Sequence, residues 1–388
     1  MLNLDEQRLF RRLAVFAGGF TLDAAEAVGG VDGADGSDVL GLVSSLVDRS
    51  LVHGLDAAED KPRFGMLETV REFAFDHLAA AGEELPVRRA QATHLQEVVA
   101  EFRLRIEGPH RAAAMDEIER EVANVRAVLA WAVQCREAEI AHGLAGYLGP
   151  FWMDRGFLRE ALDWLEPTLL LPGASPPARV EALYWAGFLA LWQGDRTRVA
   201  RHAEEAISLS RVAGYDLGVV MSHNLLAEVA NAGGDPDLAR VRYEEALRLV
   251  KGLSSPSSAS AFHGLLLGSL GEASQRRGDL TDAVARYEEV LALWRRLDHP
   301  WGVPMALANL ADIARLRGDL PDSLALQQKS LGRRWQQRDR FHLAWNLWGI
   351  ADVLLSSERA RGCLARPPRS SRQSGSCVPR TSRPASSA

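Results

Sequence analysis

Three carboxylates stand at matching places in the second half of this 388-residue chain. Glu228, Glu272 and Asp312 each precede a glycine (Gly234, Gly278, Gly318) by six residues, and Asp352 continues the series. What such a row can do, once a fold lines it up, is electrostatic: it attracts a cationic segment and fixes its register. Asn224, Asn309, Arg276 and Arg315 flank the row, and Tyr184, Trp185, Phe188 and Trp192 form an aromatic group of the kind that anchors a partner. The plainer alternative is that the acids are solvated helix residues and the aromatics fill packing space.

Covalent and metal chemistry find no comparable support. A phosphate-binding loop needs Lys between Gly and Ser or Thr, because the backbone amides cradle phosphates while the ammonium reaches the outer ones. The three lysines, Lys61, Lys251 and Lys329, all lack that context. No GxSxG elbow, no GxGxxG after a strand and no HExxH pair occurs. Cys135, Cys363 and Cys377 have neither metal-ligand spacing nor the even count of a disulfide framework. The expectation is a chain that is not an enzyme and holds no cofactor or metal. With 47% hydrophobic and 25% charged residues it is globular. It has no apolar run of membrane-spanning length and a charged start, MLNLDEQRLFRR, which together predict a cytoplasmic protein.

The glycines belong to a longer pattern. Gly156, Gly194, Gly234, Gly278 and Gly318 are spaced by 38, 40, 44 and 40 residues, and the stretch GLSSPSSAS reads as a loop inserted in the longest interval. Seven residues before each marker stands a tiny residue: Gly149, Gly187, Ala227, Gly271, Ala311. Eight before stand Leu148, Ala186, Leu226, Leu270 and Leu310, and thirteen after stand Leu169, Ile207, Leu247, Leu291 and Leu331. These columns describe paired antiparallel helices: the tiny residue lets the backbones approach, the aliphatics fill the seam, and the glycine ends the first helix before a capping Asp.

The segment LGEASQRRGDLTDAVARYEEVL (270–291) resembles the tetratricopeptide repeat. The first two repeats depart from it, with Leu165 and Ala203 where Tyr243 and Tyr287 stand later, as does the fifth, with Gln327. A sixth repeat starts at FHLAWNLWGIADVLL but meets Glu358 where its marker is due. The resemblance implies that residues five and six before the marker face a concave groove, so Glu228, Glu272 and Asp312, six before it, would form a ladder inside it.

Ahead of the repeats, LDEQRLFRRLAVFAGGF, TLDAAEAVGG and SDVLGLVSSLVDRSLVHG read as three helices, with Thr21 and Ser37 as N-caps. A hairpin of Leu51–Leu55 and Arg63–Met66 follows, then a helix with Leu67, Val70, Ala74 and Leu78 on one stripe. Three helices and a β-wing make a winged helix. LAVFAGGFTLDAAEAV, LVDRSLV and MLETVREFAFDHL resemble the winged-helix region of STAND-type signalling ATPases of LuxR-type and antibiotic-regulatory bacterial proteins, and EIEREVANVRAVLAWAV resembles their spacer helix, with Met115, Ile118, Val122, Val125, Leu129 and Ala132 in helical register. In that family an ATPase core precedes the winged helix, which here would fall before residue 1.

The expected fold is mainly α: a winged helix (1–84), a helical spacer (85–140), a right-handed tetratricopeptide-repeat solenoid of five repeats and an incomplete sixth (141–358), and a disordered basic tail (359–388). From Arg361 onward it holds six Arg, seven Ser and no acid, and it reads either as a basic linker or as an out-of-frame stretch. Residues 1–84 carry seven basic side chains against sixteen acidic ones, a net −9, so direct DNA binding is not expected. The resemblance implies instead a winged helix that relays signals within the protein, and repeats that take a protein or small effector. The competing class is a freestanding repeat scaffold with no regulatory ATPase.

Overall fold

The computed structural model describes residues 1–31, 38–55, 62–253 and 256–364, with only the helix path given for 256–258 and 358–364. Contacts divide the chain into two compact units, one of Met1–Trp152 with Phe157–Trp185 and one of Met153–Gly156 with Ala186 onward.

The first unit opens with α1 (Leu4–Leu13), started by a reciprocal cap in which the Glu6 amide donates to Asn3 Oδ1 and the Asn3 amide donates to the Glu6 carboxylate. Strand β1 (Phe20–Thr21), α2 (Leu22–Gly29) and α3 (Val39–Asp48) follow, with Thr21 capping α2 as the sequence predicts. Asp38 caps α3; Ser37, the predicted cap, lies outside the described residues. The wing is β2 (His53–Leu55) and β3 (Arg63–Gly65), and β3 pairs on its other edge with β1, giving an antiparallel sheet ordered β1-β3-β2. The third strand escapes sequence reading because it is two residues long. Helix α4 (Glu68–Ala80) buries Ala74 and Leu78 in the winged-helix core and packs Val70 against it. Leu67, predicted on that stripe, is instead the exposed residue before the helix, where its extended backbone turns the strand into α4.

The spacer is α5 (Glu84–Arg105) and α6 (Arg111–Gln134), and all six predicted seam residues of α6 are buried. It is fastened to the wing. Asn124 on α6 accepts from the Gly18 amide (3.0 Å) and donates to the Gly19 carbonyl (2.8 Å). Arg63 on β3, itself buried, donates to the Gly18 and Gly19 carbonyls and pairs with Glu121. Helices α7 (Ala138–Tyr147), α8 (Gly149–Arg155) and α9 (Leu158–Leu169) begin the repeats.

After α10 (Pro176–Trp192), the array continues as α11 (Arg196–Ala213), α12 (Asp216–Ala232), α13 (Pro236–Val250), α14 (Pro256–Arg276), α15 (Leu280–Arg296), α16 (Gly302–Arg317), α17 (Leu320–Gln336) and α18 (Arg340–Leu364). All five marker glycines adopt positive φ, between +77° and +86°, the left-handed conformation that ends a helix. The aspartates after the last four, Asp195, Asp235, Asp279 and Asp319, each accept an amide hydrogen bond from three residues on and so start α11, α13, α15 and α17. One Gly-Asp dipeptide thus stops one helix and starts its partner.

In the α14–α15 pair the tiny column works as expected, whereas Gly187 comes closest to Leu225 of α12 in the next repeat. A Cβ on Gly271 would come within 2.6 Å of the buried Tyr287 ring, so glycine is what allows α14 and α15 to meet. The column thirteen after the marker is only half-buried, except for Leu291. Three other columns carry the seam: five after (Ala161, Val199, Ala239, Ala283, Ser323), nine after (Leu165, Ala203, Tyr243, Tyr287, Gln327) and twelve after (Thr168, Ala206, Ala246, Val290, Ser330), all buried. Two of its hydroxyls find acceptors: Ser323 Oγ donates to the Ala311 carbonyl and Ser330 Oγ to the Pro304 carbonyl, both at 2.7 Å.

Two expectations are corrected here. GLSSPSSAS is not a loop throughout, since α14 already begins at Pro256; proline at the first helical turn starts a helix without losing a needed amide. The boundary at 359 also falls inside α18, which runs to Leu364; the rest of the tail lies outside the described residues.

The tight contact at Gly271 sets a testable contrast with Gly268, one turn earlier, where a Cβ would meet only the flexible end of Met305 at 3.2 Å. In chemical denaturation Gly271→Ala should lose about 1–3 kcal/mol, the usual cost of overpacking. Gly268→Ala should stay within about 1 kcal/mol of the unsubstituted chain, its helix propensity compensating.

Candidate functional site

The predicted polar residues of the row lie on α12, α14, α16 and α18, the first helices of successive pairs. On α12, Asn224, Glu228 and Asn231 fall four and three residues apart and share one helix face. Across from it on α14, Ser269 Oγ donates to Glu228 at 3.0 Å, and Glu272 takes a two-pronged hydrogen bond from Arg276 (2.8 and 3.1 Å). On α16, Arg315 reaches Asp352 of α18 at 3.2 Å and Asp312 at 4.0 Å. Asn309 is half-buried one turn before Asp312. The row of acids is therefore not uniform: Glu272, Asp312 and Asp352 have an arginine beside them, while Glu228 has a serine.

Glu228 stands apart electrostatically. Desolvation, reinforced by the nearby Glu272 charge, pushes its carboxyl up to about 7, against the lowering effects of Tyr243, Ser269 and Arg276. Tyr243 on α13 is raised well above its ordinary value by burial and by the two glutamates. Along the same face, Asn224 and Asn231 are each 2% exposed, and their side-chain oxygens accept no hydrogen bond. The strip thus holds two buried oxygens without a donor, next to a Tyr243 hydroxyl that likewise has no hydrogen-bond partner.

The predicted aromatic group is divided. Tyr184 is buried, and Trp185 lies where a Cβ on Gly149 would be, 2.0 Å away, so this indole packs over the first repeat's tiny residue. Phe188 and Trp192 sit further along α10, 6.2 Å apart by ring centroids. Trp192 meets Phe341 and Trp345 of α18 edge-on, each at 5.4 Å, and Trp345 stacks on Trp348. Sequence reading missed this continuation, because the α18 aromatics come from the repeat whose marker fails.

Among the described residues one group could hold a metal ion: Asp154, Asp339 and His342, with ligand atoms within 4.8 Å of one another. The buried Arg334 guanidinium faces both carboxylates, which oppose the burial that lowers it to about 10. With a cation already present, the group reads as a buried ion network.

The winged helix offers phosphate little. Each of its described basic residues has an acidic partner within 4 Å: Arg8 with Asp5, Arg11 and Arg12 with Glu83, Arg49 with Glu6, Arg63 with Glu121 and Arg71 with Glu68. The helix in the position of a DNA reader, α3, exposes Leu40, Gly41, Ser44 and Asp48.

Comparison with known proteins agrees with this architecture. A winged helix-turn-helix domain model matches residues 2–79 and a tetratricopeptide repeat model matches residues 263–331, so the chain joins a winged helix-turn-helix domain to tetratricopeptide repeats. A Mycobacterium tuberculosis (strain ATCC 25618 / H37Rv) protein provisionally named an HTH-type transcriptional regulator is 30% identical over 262 residues, 65% of this chain and 29% of its own length. The chain therefore spans less than a third of that relative. A signal transduction ATPase with numerous domains (STAND) and a tetratricopeptide repeat sensor, from Pyrococcus horikoshii, shares the fold with a TM-score of 0.52 at 12% identity, over 94% of this chain and 57% of its own. NprR in complex with its cognate peptide NprX gives 0.50 at 12% identity, over 84% and 88% of the two chains. Among the described residues no helix is long and apolar enough to cross a membrane.

The raised carboxyl predicts a pH-dependent stability. A glutamate whose folded pKa exceeds its unfolded value contributes stability below about 4.5 that is lost as the pH rises to about 7. Glu228→Gln, which does not titrate, should therefore match the unsubstituted chain near pH 4 and exceed it above pH 7. Allowing for the half-buried position, the gain should be about 1–3 kcal/mol, read from denaturant midpoints across that range.

Proposed function

We propose that this chain is the sensing and partner-binding portion of a cytoplasmic bacterial regulator of the STAND or LuxR type. In it the repeat groove receives a protein or peptide segment and the winged helix relays that event within the molecule. The observation that carries the reading is the pair of buried, unpartnered asparagine oxygens on α12 beside Glu228 and the α14 carboxylate, in a fold shared with a structure that holds a peptide. The relay role draws support from two features: the described cations of the winged helix are paired with acids, and the winged helix is bound to the spacer through Arg63, paired with Glu121, and through Asn124, hydrogen-bonded to Gly18 and Gly19.

Replacing Glu228, Glu272 and Asp312 together with Gln leaves the buried seam columns intact. It should lower affinity for a partner captured by the chain by about tenfold or more and flatten its salt dependence, measured by titration at two ionic strengths. Unchanged affinity and unchanged salt dependence would move the site elsewhere. For the winged helix, the expectation is DNA affinity no tighter than about 10⁻⁶ M at physiological salt, falling steeply with added salt, and no footprint on any sequence. The STAND assignment is checked by whether the polypeptide or its adjoining reading frame encodes a GxxxxGK[ST] module.

A further inference from the structure

Glu228, Asn224 and Asn231 pose a question of donors. A buried side-chain oxygen without a partner costs free energy, and two of them bracket a carboxyl that burial disfavours as an anion. Glu228 lies four residues after Asn224 and three before Asn231, roughly one helical turn, or about 5–6 Å, from each. A planar guanidinium carries five donors and no acceptor, whereas an ammonium presents a compact, strongly hydrated charge that is harder to strip of water. The site thus suits the former.

We propose that the α12–α14 stretch of the groove is an arginine site: a guanidinium of the bound partner segment lodges on the Glu228 carboxylate, reaches the Asn224 or Asn231 oxygen beside it, and is held from α14 by Glu272. This rests on the groove being the partner surface. The groups that face Glu228 are Tyr243 from α13 and Ser269, Glu272 and Arg276 from α14, and of the charged ones Arg276 is already engaged with Glu272. An incoming cation therefore meets an unneutralised acid at Glu228 and a half-neutralised one at Glu272. Near neutral pH a share of Glu228 is protonated, so binding expels that proton to the buffer, and affinity rises as the pH climbs through 7.

The test is calorimetric titration of the full chain with a blocked Gly-Arg-Gly peptide and its citrulline counterpart, a neutral shape mimic. It is run at pH 6 and pH 8 in buffers of different ionisation enthalpy. The arginine peptide should bind at least tenfold more tightly than the citrulline peptide, tighten from pH 6 to pH 8, and release a fraction of a proton at pH 6. Glu228→Gln should remove both the preference and the proton release, and Asn224→Ala should weaken the arginine peptide while leaving the proton release in place. Equal affinity for the two peptides, or binding by neither, overturns the arginine site. An arginine preference that survives Glu228→Gln also overturns it; if that preference then vanishes in a Glu272→Gln/Asp312→Gln double variant, the groove reading stands without this site. A preference that survives every variant removes both.

Discussion

The distance between paired helices is the constraint on which the array depends. At Gly271 the α14 backbone lies so close to the Tyr287 ring that a single carbon would collide, and Gly187, Ala227 and Ala311 hold the same place in their pairs. Because the pairs meet this closely, the seam absorbs the small and aromatic columns five, nine and twelve residues after each marker. Beside that seam, Glu228, Glu272 and Asp312 stand half-buried on α12, α14 and α16. The Gly-Asp turn fixes the direction of each pair, and successive turns bring Glu228 and Glu272 across from one another though 44 residues separate them. The acids owe their proximity to the glycines.

Burial then differentiates side chains that look alike in sequence. Glu228, Glu272 and Asp312 occupy one column, yet an arginine lies within 4 Å of the last two, while the first is hydrogen-bonded by a serine hydroxyl and feels Arg276 only through its charge. A similar sorting governs the winged helix. It carries a net negative charge, and Arg11 and Arg12 pair with Glu83 and Arg63 with Glu121. The wing is consequently part of a body continuous with the spacer helices.

Much of this was legible in the sequence wherever one residue type does one local job. Marker glycines need a left-handed backbone and the following aspartates cap helices, so both columns read correctly and with them the period and the fold class. The α6 stripe read correctly for the same reason, helical periodicity being local. What escaped depends on long-range packing. The hydroxyls Ser323 and Ser330 look unfit for a seam until their carbonyl acceptors appear, and Trp185 looks like a groove anchor until Gly149 is seen beneath it. The union of Trp192 with Phe341 and Trp345 joins segments some 150 residues apart, beyond any local pattern. GLSSPSSAS misled because a helix start and a loop share Ser and Pro.

The account turns on Glu228 being a desolvated acid that lacks a cation. Carbon-13 NMR of the side-chain carboxyl, assigned by the signal lost in Glu228→Gln, reads this directly in the unliganded chain. Titration close to 7 is the expected result. A Glu228 carboxyl that titrates near 4.5 would mean that water or an internal cation already satisfies it, and would contradict the claim that this stretch of the groove awaits a partner's positive charge.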